Sequence, residues 1–181
     1  RIKDVAAAAG LSSQSVLYYY PDLDDLIEEA LQHTVERFAK RRAVAAEASP
    51  DPRKALTAII SAGLPTGPDD EDLRILYEAS GYFRDNPTLG ALIRSVTARQ
   101  VEVYRRVLEL GEARGVFDLA DTSERIARNL VALEDAYGLY IIGGAPIRDE
   151  ALDQILSFAT IATRCALTGR RPRSGSGSGV R

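Results

Sequence analysis

The sequence predicts an all-α fold, and three observations predict it. No segment shows the sustained alternation of β-branched and polar residues that a half-buried strand requires. Several long segments instead carry apolar residues at positions i, i+3, i+4 and i+7, which is the spacing of one helix face. Residues that start or break helices separate these segments. With 181 residues, of which 45% are hydrophobic and 27% charged, the chain is long and apolar enough to bury a core.

The first twenty residues predict two short helices joined by a glycine turn. The first helix has an apolar side that includes Val5 and Ala9, and it stops at Gly10, which can adopt the left-handed conformation of a tight turn. Ser12 is predicted to cap the second helix. The side chains predicted to point inward are Val16, Leu17 and Tyr20, and those predicted to be exposed are Ser13, Gln14, Ser15, Tyr18 and Tyr19.

Longer helices are predicted in the rest of the chain. The first starts after Pro21 and Asp22 and is unusually long for a globular domain. A later helix opens at Asp121 or Thr122, where Glu124 is predicted to bond back to the cap as in a capping box. The periodicity places these helices at about 23–48, 53–64, 69–83, 88–113, 123–142 and 148–168.

Charge is unevenly distributed along the chain. The 23 basic and 26 acidic residues give −3, but the four tail arginines contribute +4, so residues 1–169 carry −7. The rest of the tail is a glycine and serine run that predicts a flexible segment. A DNA-binding protein with this charge must use a small local patch and act as an oligomer. The tail arginines are Arg170, Arg171, Arg173 and Arg181.

Composition excludes several functional classes. A single cysteine, Cys165, rules out an internal disulfide framework and favours a reducing, cytoplasmic setting. No stretch approaches the roughly 18 apolar residues of a membrane span, so no membrane partner is expected. The only histidine, His33, has no partner at catalytic spacing. Because the sequence shows no nucleophile–base pair, metal cluster or phosphate loop, we expect no enzyme activity, metal site or cofactor.

The exposed side of the predicted hairpin is suited to reading DNA. In helix-turn-helix proteins the start of the second helix enters the major groove. Gln14 can pair with adenine, and the hydroxyls of Tyr18 and Tyr19 can bond to phosphates. An ordinary helical hairpin has the same spacing, but an exposed tyrosine pair beside small polar residues favours a DNA contact. The candidate DNA-binding residues are Lys3, Ser12, Ser13, Gln14, Ser15, Tyr18 and Tyr19.

The segment 2–27, IKDVAAAAGLSSQSVLYYYPDLDDLI, resembles the DNA-binding signature of the tetracycline-repressor-like (TetR) family of transcriptional regulators. The resemblance implies a homodimer that binds a palindromic operator in double-stranded DNA and is released by a small-molecule effector. It also implies a helix before this hairpin, and this chain begins too late to contain it. The family usually has tyrosine where Leu17 stands and lysine where Leu23 stands, and both commonly contact phosphate.

The resemblance also divides the chain into three regions. Residues 1–47 are expected to hold the helix-turn-helix and the start of a connecting helix, residues 48–169 the effector-binding and dimerisation domain, and residues 170–181 a flexible tail. The segment 131–139, VALEDAYGL, resembles the penultimate helix of the betaine-regulator-like subgroup.

Several aromatic and acidic residues lie at spacings that face the interior of the second domain and suggest an effector pocket. If Glu134 is inside that pocket, it favours a cationic or hydroxylated effector, with tyrosine faces adding cation–π attraction. Tyrosines that simply fill a core would show the same spacing. The candidate effector-binding residues are Tyr77, Tyr82, Phe83, Tyr104, Glu134 and Tyr137, with Glu78 and Tyr140 as further interior positions.

The last two helices present a second apolar face, which predicts a homodimer closed as a two-fold four-helix bundle. The residues of this face are Ala127, Val131, Gly138 and Ile142 on one helix and Ala159, Ala162 and Ala166 on the other. The leading hypothesis is a ligand-responsive repressor. The alternatives are a helical protein-interaction module, a ligand-binding protein that does not bind DNA and, with little support, a helical enzyme.

Overall fold

A computed structural model describes residues 1–79 and 86–167 of the chain. All regular structure in these two ranges is helical, which confirms the predicted fold class. The helices are α1 (Ile2–Ala8), α2 (Ser13–Tyr19), α3 (Leu23–Glu47), α4 (Pro52–Gly63), α5 (Glu71–Ala79), α6 (Pro87–Ala113), α7 (Ser123–Ile142) and α8 (Arg148–Thr163). Tyr82, Phe83 and the predicted tail lie outside the described residues.

Side-chain caps start most of these helices and explain where the chain changes direction. The Oγ of Ser12 accepts a hydrogen bond from the amide of Ser15 at 3.0 Å, which confirms the predicted cap of α2. Asp22 caps α3 through the amide of Asp25 at 3.0 Å. Further caps that accept backbone N–H groups at helix starts are Asp51, Asn86 and Thr122. Each cap satisfies a donor that the helix geometry leaves unpaired.

Two predictions about helix ends are wrong. Glu124 does not close a capping box, because the cap is Thr122 and the third helical position is therefore Arg125. The Glu124 carboxylate instead accepts a hydrogen bond from Arg128 at 2.8 Å. Helix α8 ends at Thr163, five residues before the predicted end, because the next residue is left-handed with φ at 49°.

The main core lies between α4, α6, α7 and α8, where aliphatic side chains are fully buried. Helix α3 packs against α4, α5 and α6, and a smaller cluster of Val35, Phe38, Leu73 and Val96 joins its middle to α5 and α6. The connecting helix is therefore anchored along its second half by the larger domain. Among the described residues, no helix is long and apolar enough to cross a membrane.

Candidate DNA-binding hairpin and effector cavity

Helices α1 and α2 form a compact hairpin around two buried side chains. Ala6 is 1% exposed and Val16 is 7% exposed, so a small residue sits where the helices cross. Gly10 has φ at +68°, which confirms the predicted left-handed position. The amide of Leu11 donates to the carbonyl of Ala6 at 2.8 Å and closes the turn. The result is a helix-turn-helix unit directly before α3.

The predicted DNA-binding residues lie on α2 and its cap, except Lys3, which lies on α1. Tyr18 is 81% exposed and Tyr19 is 74% exposed, with their rings edge to face at a centroid distance of 5.0 Å. The hydroxyls of Ser12 and Ser15 lie 2.8 Å apart. Lys3 and Gln14 are also exposed, whereas Ser13 is half-buried. Six of the seven predicted residues are thus exposed on the hairpin, and their contact with DNA remains a prediction.

The prediction that Leu17 points inward is wrong. The side chain is 46% exposed, because Val16 occupies the inward position and the next residue of a helix lies about 100° further round its axis. Val5 and Ala9 on α1 are exposed as well. The apolar interior of the hairpin is consequently smaller than the sequence pattern suggests.

A cavity of about 350 Å³ lies between α3, α5, α6 and α7. Most of its wall is aliphatic or aromatic, which suits the apolar part of a small molecule. Its polar groups come from Tyr77, Thr97, Gln100 and Asp135. The apolar and glycine positions of the wall are Phe38, Gly63, Leu73, Leu76, Ile93, Val96, Ala136 and Leu139.

Tyr77 and Asp135 place titratable groups at the cavity wall. The hydroxyl of Tyr77 donates to the backbone carbonyl of Asp135 at 3.3 Å. Burial, with the nearby carboxylates of Asp135 and Glu134, raises the pKa of Tyr77 above its usual range, so this hydroxyl stays a donor. Desolvation likewise raises the pKa of Asp135, against the attraction of Arg42. Sequence reasoning did not name Asp135 as a cavity residue.

A buried charged cluster lies behind this wall. The guanidinium Nη1 of Arg42 donates to Oε2 of Glu134 at 2.8 Å, and the hydroxyl of Tyr104 donates to Oε1. Arg42 and Glu134 are 1% and 2% exposed, and Tyr104 is fully buried. The cluster therefore ties α3 to α6 and α7 without contact with solvent. Sequence reasoning named Glu134 and Tyr104 but missed Arg42.

The environment of Glu134 raises its pKa. Burial disfavours the carboxylate and outweighs the stabilising effects of Arg42 and Tyr104, so the pKa of Glu134 rises to about 7. A Cβ added at Gly63 would collide with Oε1 of Glu134 and with Nη1 of Arg42. Gly63 is thus the thin part of the wall that separates the cavity from the cluster.

The other predicted effector residues have different positions. Tyr137 is half-buried and packs against the main core, whereas Tyr77 lines the cavity. Tyr104 and Glu134 lie in the cluster rather than on the cavity wall. Tyr140 and Glu78 were expected inside, but both are exposed, so that expectation is wrong. The part that these residues play in effector binding remains a prediction.

Solved structures resemble this arrangement over most of its length. A TetR transcription regulator from Haloarcula marismortui is similar with a TM-score of 0.79 and 22% identity, over 90% of this chain and 86% of that chain. The chain has the fold of TetR-family regulators. A putative transcriptional regulator from Saccharomonospora viridis, solved in complex with choline, is similar with a TM-score of 0.79 and 24% identity, over 87% of this chain and 83% of that chain.

A third similar structure is that of AibR in complex with isovaleryl coenzyme A and operator DNA. Its TM-score is 0.64 and its identity 13%, over 90% of this chain and 86% of that chain. No protein-family model matches the sequence, and no curated protein matches it. The likeness is therefore one of fold, and the betaine-regulator-like subgroup remains a prediction.

In this TetR fold, the outer face of α7 and α8 differs from the predicted one. Of the residues predicted for a dimer face, five are buried within the chain, whereas Ile142 is half-buried and Ala166 is exposed; the buried ones are Ala127, Val131, Gly138, Ala159 and Ala162. The exposed apolar side chains are instead Leu139, Tyr140 and Ile161, at 56%, 57% and 70% exposure. The prediction of a dimer face is therefore wrong for these residues, because Ala127, Val131, Ala159 and Ala162 belong to the main core of the same chain and Gly138 lies against Tyr77 of α5.

Proposed function

We propose that this chain is a ligand-responsive DNA-binding transcriptional regulator that represses its target as a homodimer. One observation carries the proposal: α3 runs without a break from the exposed hairpin to the effector cavity. Its N-terminus follows α2 after three residues, and Phe38 in its second half lines the cavity. A ligand in the cavity therefore contacts the same helix that positions the hairpin. In this proposal residues 1–47 bind DNA and residues 48–169 bind effector and partner.

The start of α2 is the part of the hairpin that enters the major groove. Gln14 reads a base, since its amide can donate and accept in one plane with adenine. Tyr18 and Tyr19 bond to phosphates beside it, where their exposed rings can also cover sugars. Lys3 and the serines at positions 12, 13 and 15 supply further phosphate or base-edge contacts.

The cavity is the effector site of this proposal. Its volume of about 350 Å³ and apolar wall suit a small organic molecule. The two similar structures that hold choline and isovaleryl coenzyme A support ligand binding in this fold, and the second also supports operator binding. Tyr77 contacts the effector directly, whereas Tyr104, Tyr137 and Glu134 act from behind the wall. Tyr82 and Phe83 are proposed to complete the site.

The homodimer forms through the exposed apolar side chains of α7 and α8. Exposed side chains of these two helices, such as Tyr140 and Ile161, would be covered by a second copy, since a two-fold interface repeats the same surface on both partners. Two hairpins related by a two-fold axis read two half-sites, so the operator is a palindrome. Effector binding changes the separation of the hairpins and releases the DNA.

The proposal is tested by gel-shift and fluorescence-anisotropy titration with the DNA upstream of the gene's own operon. The wild-type chain is expected to bind a palindrome in this DNA. The double variant Gln14→Ala, Tyr19→Ala is expected to lose specific binding, because it removes one base contact and one phosphate contact. The loss for two such contacts is about tenfold to several hundredfold in Kd.

A matched control separates DNA contact from folding. Gln32 is an exposed glutamine of α3, and Gln32→Ala is expected to leave DNA affinity and melting temperature unchanged. Since Gln14 and Tyr19 are exposed, the double variant should also melt normally. Unchanged operator binding in the double variant would refute the assigned contacts. Specific protein partners without any DNA binding would favour the interaction-module alternative.

A further inference from the structure

A small recess opens beside the cavity, between α3 and α6. Its volume is about 30 Å³, which is room for about two water-sized groups. The recess and the cavity share Phe38, Val96 and Gln100 in their walls, so the two spaces adjoin. Arg42 and Arg99 also line the recess. A ligand with its body in the cavity can therefore extend a small polar group toward two arginines.

Arg42 lines this recess, and two of its guanidinium nitrogens have no acceptor among the described residues. Its Nη1 donates to Glu134, while no described residue accepts a hydrogen bond from Nε or Nη2, which are both shielded from solvent. These two nitrogens form one edge of the planar guanidinium, and that edge matches the two oxygens of a carboxylate. Donors buried without an acceptor are costly, so an acceptor here would be strongly favoured.

Aromatic rings hold the guanidinium of Arg42 in a fixed plane. The Cζ of Arg42 lies 4.9 Å from the ring centroid of Tyr104 and 5.6 Å from that of Phe38. With Nη1 bound to Glu134, the group cannot turn its free edge elsewhere without breaking that pair. The donor pair is therefore preorganised, which lowers the entropic cost of binding a planar ligand group.

We propose that this recess binds the carboxylate of a small effector whose apolar body fills the adjoining cavity, with Nε and Nη2 of Arg42 donating to its two oxygens. The assignment rests on the proposed function only in naming the ligand an effector. Arg99 and the side-chain amide of Gln100 border the same recess and favour a negative charge. Glu134 does not repel such a ligand strongly, because its carboxylate is already paired with Arg42.

The test is isothermal titration of the full chain with straight-chain carboxylates from butanoate to decanoate, each compared with its primary amide and with choline. At least one carboxylate is expected to bind about tenfold or more tightly than its amide, since a charge-assisted hydrogen-bond pair is lost. Arg42→Lys keeps the charge but removes the planar fork, and it is expected to weaken that carboxylate about tenfold.

Arg41→Lys is the matched control. Its Nε and Nη2 likewise have no acceptor among the described residues, but the side chain is 32% exposed, faces Asp70 and does not line the recess. It is expected to bind the carboxylate like the wild type. Arg99→Gln, on the exposed rim, gives a second variant should Arg42→Lys fail to fold, and it should weaken the carboxylate while sparing the amide.

Three results would overturn the assignment: no carboxylate binds, the amides bind as tightly as the carboxylates, or choline binds in preference to both. Adding the binding carboxylate to the operator complex tests the proposed function separately. If the carboxylate binds through Arg42 and the DNA is not released, the assignment of a carboxylate site at the recess is supported, but the ligand is not an effector. If the protein binds no operator at all, the titrations still test whether the recess binds a carboxylate.

Discussion

The pair formed by Arg42 and Glu134 predicts strong energetic coupling between α3 and α7. At 2.8 Å, the Coulomb attraction between the two charges is about 6 kcal/mol at an effective dielectric constant of 20. Burial offsets much of this attraction, since both ions lose their hydration. Removing one partner leaves the other buried and unpaired, so Arg42→Met or Glu134→Leu alone should cost about 3–5 kcal/mol of unfolding free energy.

The double variant Arg42→Met, Glu134→Leu should cost no more than one single variant, rather than the sum of two. It removes both charges together and leaves only the Tyr104 hydroxyl without its acceptor, a loss of about 1–3 kcal/mol. The coupling energy of the cycle is therefore expected to be about 3 kcal/mol or more. A total stability of about 5–15 kcal/mol makes this measurable for folded variants.

Urea unfolding followed by circular dichroism measures the cycle at about pH 8, where Glu134 is ionised, and at one fixed protomer concentration. Arg37→Met and Asp72→Ala provide a matched cycle for an ion pair of 2.6 Å whose arginine is 55% exposed. That exposed pair should couple by about 1 kcal/mol or less. Additive effects in the buried cycle would refute the reasoning, because they would show that the two charges do not stabilise one another.

Three further predictions follow from the described contacts. Because the folded-state pKa of Glu134 is raised from 4.5 to about 7, the unfolding free energy should fall as pH rises through that window, and Glu134→Gln should flatten this slope in urea titrations. Gly63→Ala should lower the unfolding free energy by about 1–3 kcal/mol, as its Cβ meets Glu134 and Arg42, whereas Gly67→Ala in open space should match the wild type. Ile161→Arg should convert the proposed dimer to monomers in light scattering, whereas Val44→Arg, at 60% exposure, should not.

The sequence predicted the local features of the fold well, namely helix caps and the glycine turn. Ser12 and Asp22 precede apolar periodic segments, and both cap their helices as expected. Gly10 adopts the left-handed conformation that its place between two short helices requires. These features depend on residues within one helical turn, so the sequence contains all the information that decides them.

The sequence could not predict which side chains and helices from distant parts of the chain contact one another. Glu134 pairs with Arg42, which lies 92 residues earlier, and no helical periodicity connects the two positions. The face of α7 assigned to a dimer packs within the chain, because an apolar pattern shows that a face is covered but not by which helix. Asp135, the carboxylate on the cavity wall, was not predicted, because the sequence analysis assigned the acidic pocket residue of α7 to its neighbour Glu134.

In the proposed function, the geometry of α3 explains how a small change at the cavity would alter DNA binding. From Arg42 to Leu23 the helix rises about 28 Å at 1.5 Å per residue. A rotation of about 5° around the Arg42 contact would therefore move the hairpin end by about 2–3 Å, enough to disturb side-chain contacts in a groove whose hydrogen bonds tolerate only a few tenths of an ångström. A ligand group on the free edge of Arg42 would bind the same guanidinium that holds α3 against Glu134. Ligand binding at the recess and the position of the hairpin would thus both depend on the ion pair between Arg42 and Glu134.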